Sequence, residues 1–144
     1  MNDPIIRFER IRYDDLNARQ KEAFNFQKVS AVLADYGFIT ILLSSDWSGA
    51  DFIALHLDDA ARKIQLKGRF TIDKKYLKQD LYICFRDGDQ WFIYPHDELV
   101  QKVLEISNVA ETTSWMTGGG YSYPGLSAKL REALEPYKIN EREN

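Results

Sequence analysis

Long apolar runs are missing from this chain: no stretch approaches the roughly 20 consecutive apolar residues that a membrane helix needs. The opening MNDPIIRFER has no basic segment leading into an apolar run, so a cytosolic chain is expected rather than a secreted one. Cysteine occurs once, as Cys84. It cannot close an intramolecular disulfide, and inside the apolar run LYICF it is expected to be a buried thiol, not a nucleophile or a metal ligand. With only two histidines beside it, a zinc cluster is not expected. His56 is expected beneath a helix, and His96 as a capping contact at a helix start. Gly118-Gly119-Gly120 is not followed by Lys-Ser/Thr, so it does not read as a nucleotide-binding loop. A mobile loop is expected there, and the aromatics around it, Trp115, Tyr121 and Tyr123, are expected to pack against the last helix rather than to stack on bases.

What is present suits one soluble domain spanning residues 1–144: 44% apolar and 28% charged residues, with no repeat or low-complexity segment. A net charge of −3 argues against nonspecific coating of nucleic acid, but the charge is unevenly spread. Between Arg62 and Lys78 seven basic residues (Arg62, Lys63, Lys67, Arg69, Lys74, Lys75, Lys78) stand against the single acid Asp73. Such a segment can hold a phosphate backbone.

Apolar spacing predicts a helix from about Asn17 to Tyr36, with a capping box at Asn17 and Gln20, a stop at Gly37 and a buried stripe of Phe26, Val29, Leu33 and Tyr36. Glu22 lies one turn earlier on that stripe, where a carboxylate is costly unless paired or bound to a cation. Strands are expected at FITILLS, interrupted by DWSG, then from Asp51 to Leu57 and from Lys63 to Gly68, with a turn around Asp58 and Asp59. LYICFR and WFIYP form a further pair about Asp87-Gly88-Asp89. A helix follows Pro95, with Leu99, Val103 and Ile106 inward, and a last helix covers about Leu126 to Leu134.

Alternation places Gln65 and Lys67 on one face of the third strand and Asp51 with Ile53 and Leu55 on one face of the second. An antiparallel hairpin turning near Asp59 brings Asp51 beside the end of the third strand. A carboxylate, an amide and an ammonium thereby meet at one end of the sheet. A hard divalent cation takes oxygen ligands from one or two side chains plus water and phosphate, which Asp51 and the Gln65 carbonyl oxygen could supply. Lysine beside them could orient water and offset charge on a phosphate.

At these residues the chain resembles the PD-(D/E)xK nuclease superfamily, whose core runs helix, three-stranded meander, helix, strand. Asp51 stands where an aspartate begins the second strand, and Gln65-Leu66-Lys67 stands where the (D/E)xK triplet ends the third. The QxK form is similar to that of some homing endonucleases. The resemblance covers about residues 16 to 95, with the core expected over 16–107 and a C-terminal loop and helix over 108–144. It implies an α/β, restriction-endonuclease-like fold, a central mixed sheet of about five strands flanked by helices. Two departures stand out: Gln65 is neutral where the pattern has an acid, and FTIDKKYLKQ has room for only about two turns where the pattern has a full helix. A further acid from the first helix is supplied by Glu22, with Gln27 a poorer alternative.

The resemblance thus implies an Mg²⁺- or Mn²⁺-dependent endonuclease hydrolysing DNA phosphodiester bonds. Its catalytic residues would be Asp51, Gln65, Lys67 and Glu22, with the metal on Asp51 and Gln65. Lys63, Arg69, Lys74, Lys75 and Lys78 would bind nucleic acid, and the protein would be a homodimer with no nucleotide cofactor. Two other readings stay open. One is a nuclease-fold DNA-binding or regulatory module silenced at Gln65, and the other is a protein-interaction module.

Overall fold

The computed structural model describes residues 5–47, 49–58 and 60–139. Helix α1 (Ala18–Ala34) begins as the sequence predicts: Asn17 Oδ1 accepts the Gln20 N–H at 2.8 Å, and Gln20 Oε1 accepts the Asn17 N–H at 3.0 Å. Two N–H groups that the helix cannot satisfy itself are thereby paired. Val29 and Leu33 on its inner face are fully buried against Phe52, Ala54 and Ile64. Burying side chains of this size contributes about 1.5–3 kcal/mol each.

Five strands form the central sheet: β1 (Phe38–Trp47), β2 (Ala50–His56), β3 (Ala61–Leu66), β5 (Leu81–Asp87) and β6 (Gln90–Pro95), in the spatial order β1-β2-β3-β5-β6. Neighbours are antiparallel except β3 and β5, which are parallel, with Leu66 opposite Cys84. This is the mixed five-stranded sheet flanked by helices that the resemblance implies. A parallel pair needs a crossover between its strands. Residues 67–80 provide it, and they differ from the expected two-turn helix: they form strand β4 (Thr71–Asp73) and a 3-10 turn (Lys74–Tyr76).

Strand β4 pairs with β7 (Gly120–Ser122), so the glycine-rich segment expected as a mobile loop is a π-helical turn (Ser114–Gly118) followed by a strand. Gly120 opposes Asp73, and a Cβ there would lie 2.6 Å from the Asp73 carboxylate. Only glycine permits that approach. Trp115 is buried in the core beside this small sheet, and Tyr121 and Tyr123 pack partly against it. DWSG also behaves differently from the expectation, because β1 continues to Trp47, which pairs with Ala50 after a register shift. Asp59, placed in the β2–β3 turn, lies outside the described residues, while Asp58 Oδ1 accepts the Ala60 N–H at 3.0 Å.

The sheet therefore has two differently covered faces. Helix α1 lies on one, over Phe52, Ile64, Cys84 and Trp91. On the other, α2 (His96–Ile106), α3 (Ala128–Leu134) and the β4–β7 pair bury Ile83, Phe85, Phe92 and Tyr94. Cys84 is buried as expected, and desolvation pushes its thiol far above its ordinary value. His56 lies at the C-terminal end of α1, its Nε2 3.0 Å from the Tyr36 carbonyl. No helix among the described residues is long and apolar enough to cross a membrane.

Two side chains anchor the crossover to the core. The Tyr94 hydroxyl accepts the Thr71 N–H at 3.2 Å and donates to the Thr71 carbonyl. His96, expected as a capping contact at a helix start, is fully buried and is the first residue of α2. Its Nε2 accepts the Asp73 N–H at 3.0 Å, which places the proton on Nδ1, 3.0 Å from Asp97 Oδ1. Burial lowers the His96 pKa, with Asp97 and Asp73 opposing the shift. Protonation would replace the acceptor facing Asp73 with a donor.

Because the folded-state pKa is depressed, the stabilising contribution of neutral His96 is intact above its ordinary value of 6.5 and is lost as the pH falls through the folded-state value. Denaturant unfolding at pH 8 and pH 5 should show a larger loss of stability for the parent than for His96→Leu. At pH 8 that variant should itself be about 1–3 kcal/mol less stable, since the Asp73 N–H loses its partner. Equal losses in the two proteins would show that His96 does not titrate over this range.

Candidate active site

Between the first turns of α1 and the ends of β2 and β3 lies a cleft of about 420 Å³, lined by Tyr13, Glu22, Asn25, Asp51, Gln65 and Lys67 among others. The β2–β3 ladder runs from Leu55↔Ala61 to Phe52↔Ile64 and stops there. One residue further, Asp51 Oδ2 accepts the Leu66 N–H at 2.8 Å, so a side chain takes over where the strand partner ends. The next N–H, that of Lys67, turns to the other neighbour and donates to the Cys84 carbonyl at 2.8 Å. These two bonds carry Asp51, Gln65 and Lys67 to the same mouth.

Gln65 is half-buried, and its Nε2 lies 3.5 Å from the Leu66 carbonyl, which leaves the Oε1 end of the amide unengaged by that contact. Lys67 is half-buried, with Nζ 5.4 Å from the ring centroid of Tyr76. Tyr76 is held against Gly49, whose φ is +86° and where a Cβ would lie 3.1 Å from the ring. The β1–β2 connection, the crossover and the lysine therefore pack on one aromatic ring.

Glu22 lines this cleft and an adjoining one of about 200 Å³ that also contains Asp51, Phe26 and Leu66. The structure thus brings Glu22, Asp51, Gln65 and Lys67 together. Glu22 is not on a buried stripe, however: the helix emerges into solvent at that turn and the side chain is exposed. Gln27 is exposed and lines neither cleft.

The basic segment divides. Arg69, Lys74, Lys75 and Lys78 are exposed on the crossover. Lys75 Nζ lies 5.1 Å from the same Tyr76 ring that carries Lys67, which sets the segment beside the cleft. Lys74 lies over Trp115 at 5.1 Å. Lys78 adopts φ +63°, a left-handed conformation unusual for a long side chain, and its N–H is held by Asp97 Oδ2 at 2.9 Å. Lys63 is apart from these residues: it is half-buried and its ammonium donates to the Gln79 carbonyl.

Lining residues without a place in the sequence pattern include Lys21, Asn25 and Tyr13. Asn25 follows Glu22 by three positions and so shares its helix face, a usable signal. Its Nδ2 donates to the Tyr13 hydroxyl at 2.8 Å. Tyr13 lies in a 3-10 turn (Tyr13–Asp15) ahead of α1, and nothing in its local sequence points to a cleft.

Among the described residues no three His, Cys, Asp or Glu side chains gather as a metal cage. A hard cation of the Mg²⁺ type does not need one, since it retains waters and uses one or two carboxylates with substrate phosphate. Asp51 and Glu22 provide the carboxylates and Gln65 an amide oxygen. The donor set fits such an ion. A larger concavity, about 1010 Å³, lies at the other end of α1 beside His56, Arg62 and Tyr82, and among the described residues that line it Asp35 is the one acid. It brings no comparable set of oxygen ligands together.

No family model matches the chain, and no curated protein matches it. Among solved structures, the chain is similar to Hjc, a Holliday junction resolvase from the archaeal hyperthermophile Archaeoglobus fulgidus. That similarity has TM-score 0.40 and 15% identity, over 53% of this chain and 76% of that one. It is also similar to the bacterial homing endonuclease I-Ssp6803I, with TM-score 0.49 and 10% identity, over 85% of this chain and 87% of that one. At these scores and identities the likenesses carry no weight for activity, which has to be read from the cleft itself.

Proposed function

We propose that this chain is a metal-dependent endonuclease that hydrolyses phosphodiester bonds of DNA, a cytoplasmic protein acting as one nuclease domain over residues 1–144. The observation that carries the reading is the meeting of Asp51, Gln65 and Lys67, with Glu22 opposite, in one cleft beside an exposed basic segment. Asp51 and the Gln65 oxygen would hold Mg²⁺ or Mn²⁺, with Glu22 as a second carboxylate. When bound, such an ion supplies a water of lowered pKa and positive charge toward the phosphate. Lys67 orients the attacking water and offsets charge that grows on the phosphate in the transition state. Arg69, Lys74, Lys75 and Lys78 track the backbone and add affinity with little sequence information. A silenced, DNA-binding form of the same fold is the alternative that neutral Gln65 favours.

Calorimetry with Mn²⁺ tests the metal site. Asp51→Asn keeps an oxygen for the Leu66 N–H, so it should fold like the parent while losing Mn²⁺ binding. Metal affinity equal to that of the parent would remove Asp51 from the site.

Plasmid nicking in Mg²⁺ tests the chemistry. The parent should nick, and Lys67→Ala should not. Mg²⁺ affinity should rise in Gln65→Glu and fall in Gln65→Ala. If Gln65→Glu alone nicks, the natural protein is a silenced binding module. In parallel, Lys74→Glu with Lys75→Glu should lower the slope of log K against log salt by about 0.9 for each duplex phosphate that is no longer neutralised. An unchanged slope would mean that these lysines only solvate the surface.

We also propose that two copies associate through the β1–β2 face that carries Ile39 and Ile41. Ile39 opposes Leu55 and Ile41 opposes Ile53 there, with Ile39 57% and Ile41 50% exposed. A second copy would remove this apolar surface from water. Sedimentation equilibrium should find a dimer for the parent and a monomer for Ile41→Asp. A monomeric parent would refute the association.

A further inference from the structure

Beside the cleft lies a second concavity of about 250 Å³ that shares Tyr13, Asn25, Lys67 and Gly68 with it and adds Arg86, Gly88 and Trp91. The two are continuous through those four residues. Their adjacency follows from the sheet: β3 and β5 are parallel, so their C-terminal ends emerge at one edge, and Arg86 lies two residues beyond Cys84, the partner of Leu66. Side chains of β5 alternate, with Ile83 and Phe85 in the core under α2 and Cys84 on the α1 face. Arg86 shares the α1 face with Cys84.

There it contacts two aromatic rings. Its Cζ lies 5.4 Å from the centroid of Tyr13 and 5.4 Å from that of Trp91, its cross-strand partner on β6. Trp91 is buried, and Tyr13 is fixed by its hydrogen bond to Asn25 and by Phe24, 5.4 Å away between centroids. Cation–π contact with the two rings engages the charge of the guanidinium without using its N–H donors, which are left for a ligand. Among the described residues no carboxylate forms an ion pair with Arg86 or with Lys67, and the adjacent Asp87 is taken by Arg131 at 2.8 Å. A pre-oriented guanidinium with no acid partner, next to an ammonium in a small cleft, suits a bidentate oxyanion such as a phosphate.

We propose that Arg86, in contact with Tyr13 and Trp91, binds the backbone phosphate next to the one that sits at Asp51, Gln65 and Lys67. This rests on the nuclease reading for the identity of the ligand, and it makes Arg86 a positioning residue that sets the path of the strand through the cleft. A lysine there would keep the charge without the planar fork, and a methionine would keep the apolar stem without the charge, so the two substitutions separate its functions.

The test is binding of a labelled DNA duplex to the full chain in EDTA, over a series of salt concentrations, so that neither metal nor cleavage enters. Arg86→Met keeps an unbranched apolar side chain against the rings. It should weaken binding similarly across unrelated sequences and lower the salt slope by about 0.9. Arg86→Lys should recover the slope. Mn²⁺ binding should equal that of the parent in both, because Arg86 is not among the oxygen donors. Should Arg86→Met fail to fold, Arg86→Gln carries the same expectation. An unchanged slope in the charge-removing variant overturns the subsite, as does a parent that shows no salt-dependent DNA binding. Plasmid nicking separates this from the nuclease reading: a nicking parent with an unchanged Arg86→Met slope leaves the enzyme and removes the subsite. A parent that does not nick but loses slope on Arg86→Met leaves the subsite and removes the enzyme.

Discussion

The hydrogen bond from the Leu66 N–H to Asp51 Oδ2 ends the β2–β3 ladder, and the geometry of the cleft follows from it. A backbone donor at the end of a strand must find a partner once its neighbour diverges. Here the partner is a carboxylate from the diverging strand itself, so the two strands separate without leaving the donor orphaned. The next donor, on Lys67, pairs with β5 instead. β3 pairs with β2 from Ala61 to Ile64 and with β5 from Lys63 to Leu66, so at Leu66 the antiparallel ladder has ended while the parallel one continues. Asp51, Gln65 and Lys67 stand together because they flank that end of the antiparallel ladder.

The crossover between β3 and β5 carries five of the seven basic residues between Arg62 and Lys78, and it buries Phe70, Ile72 and Tyr76 in the core. Polar contacts from other elements add to that burial. Tyr94 and His96 reach it from the end of β6 and the start of α2, Asp97 holds Lys78, and β7 returns from a distant part of the chain to pair with β4. The contacts of Tyr94 and His96 join buried or part-buried polar groups that would be costly without each other. Exposed lysines are thereby displayed on a short, well-anchored segment, and the Tyr76 ring shared by Lys67 and Lys75 links that segment to the cleft.

Charges of both signs line the mouth. The carboxylates Asp51 and Glu22 are supplied by β2 and α1, and Lys67 and Arg86 by the ends of two parallel strands, while α1 also brings Lys21 to the cleft and Arg19 to the adjoining one.

Much of this was legible in the chain itself. The capping box at Asn17 and Gln20, the alternation along β2 and β3, the tight turn at Gly88 and the apolar stripe of α2 are local patterns, and they sufficed for the element order and for the Asp51, Gln65 and Lys67 cluster. Local pattern also placed Cys84 in the core. It did not reveal that Glu22 faces solvent, because a helical stripe does not say where its supporting sheet ends. Nor did it show that the glycines at 118–120 lead into a strand, since the partner that makes β7 a strand lies at residues 71–73. His96, Tyr13 and Arg86 were equally invisible: a buried histidine accepting a distant N–H, and an arginine in contact with rings from two other elements, have no signature along the chain. Sequence determined the elements and the motif through contacts made within a few residues. The tertiary structure alone decided which charges are paired, which are exposed and which meet, because those depend on partners brought together only when the sheet closes on its helices.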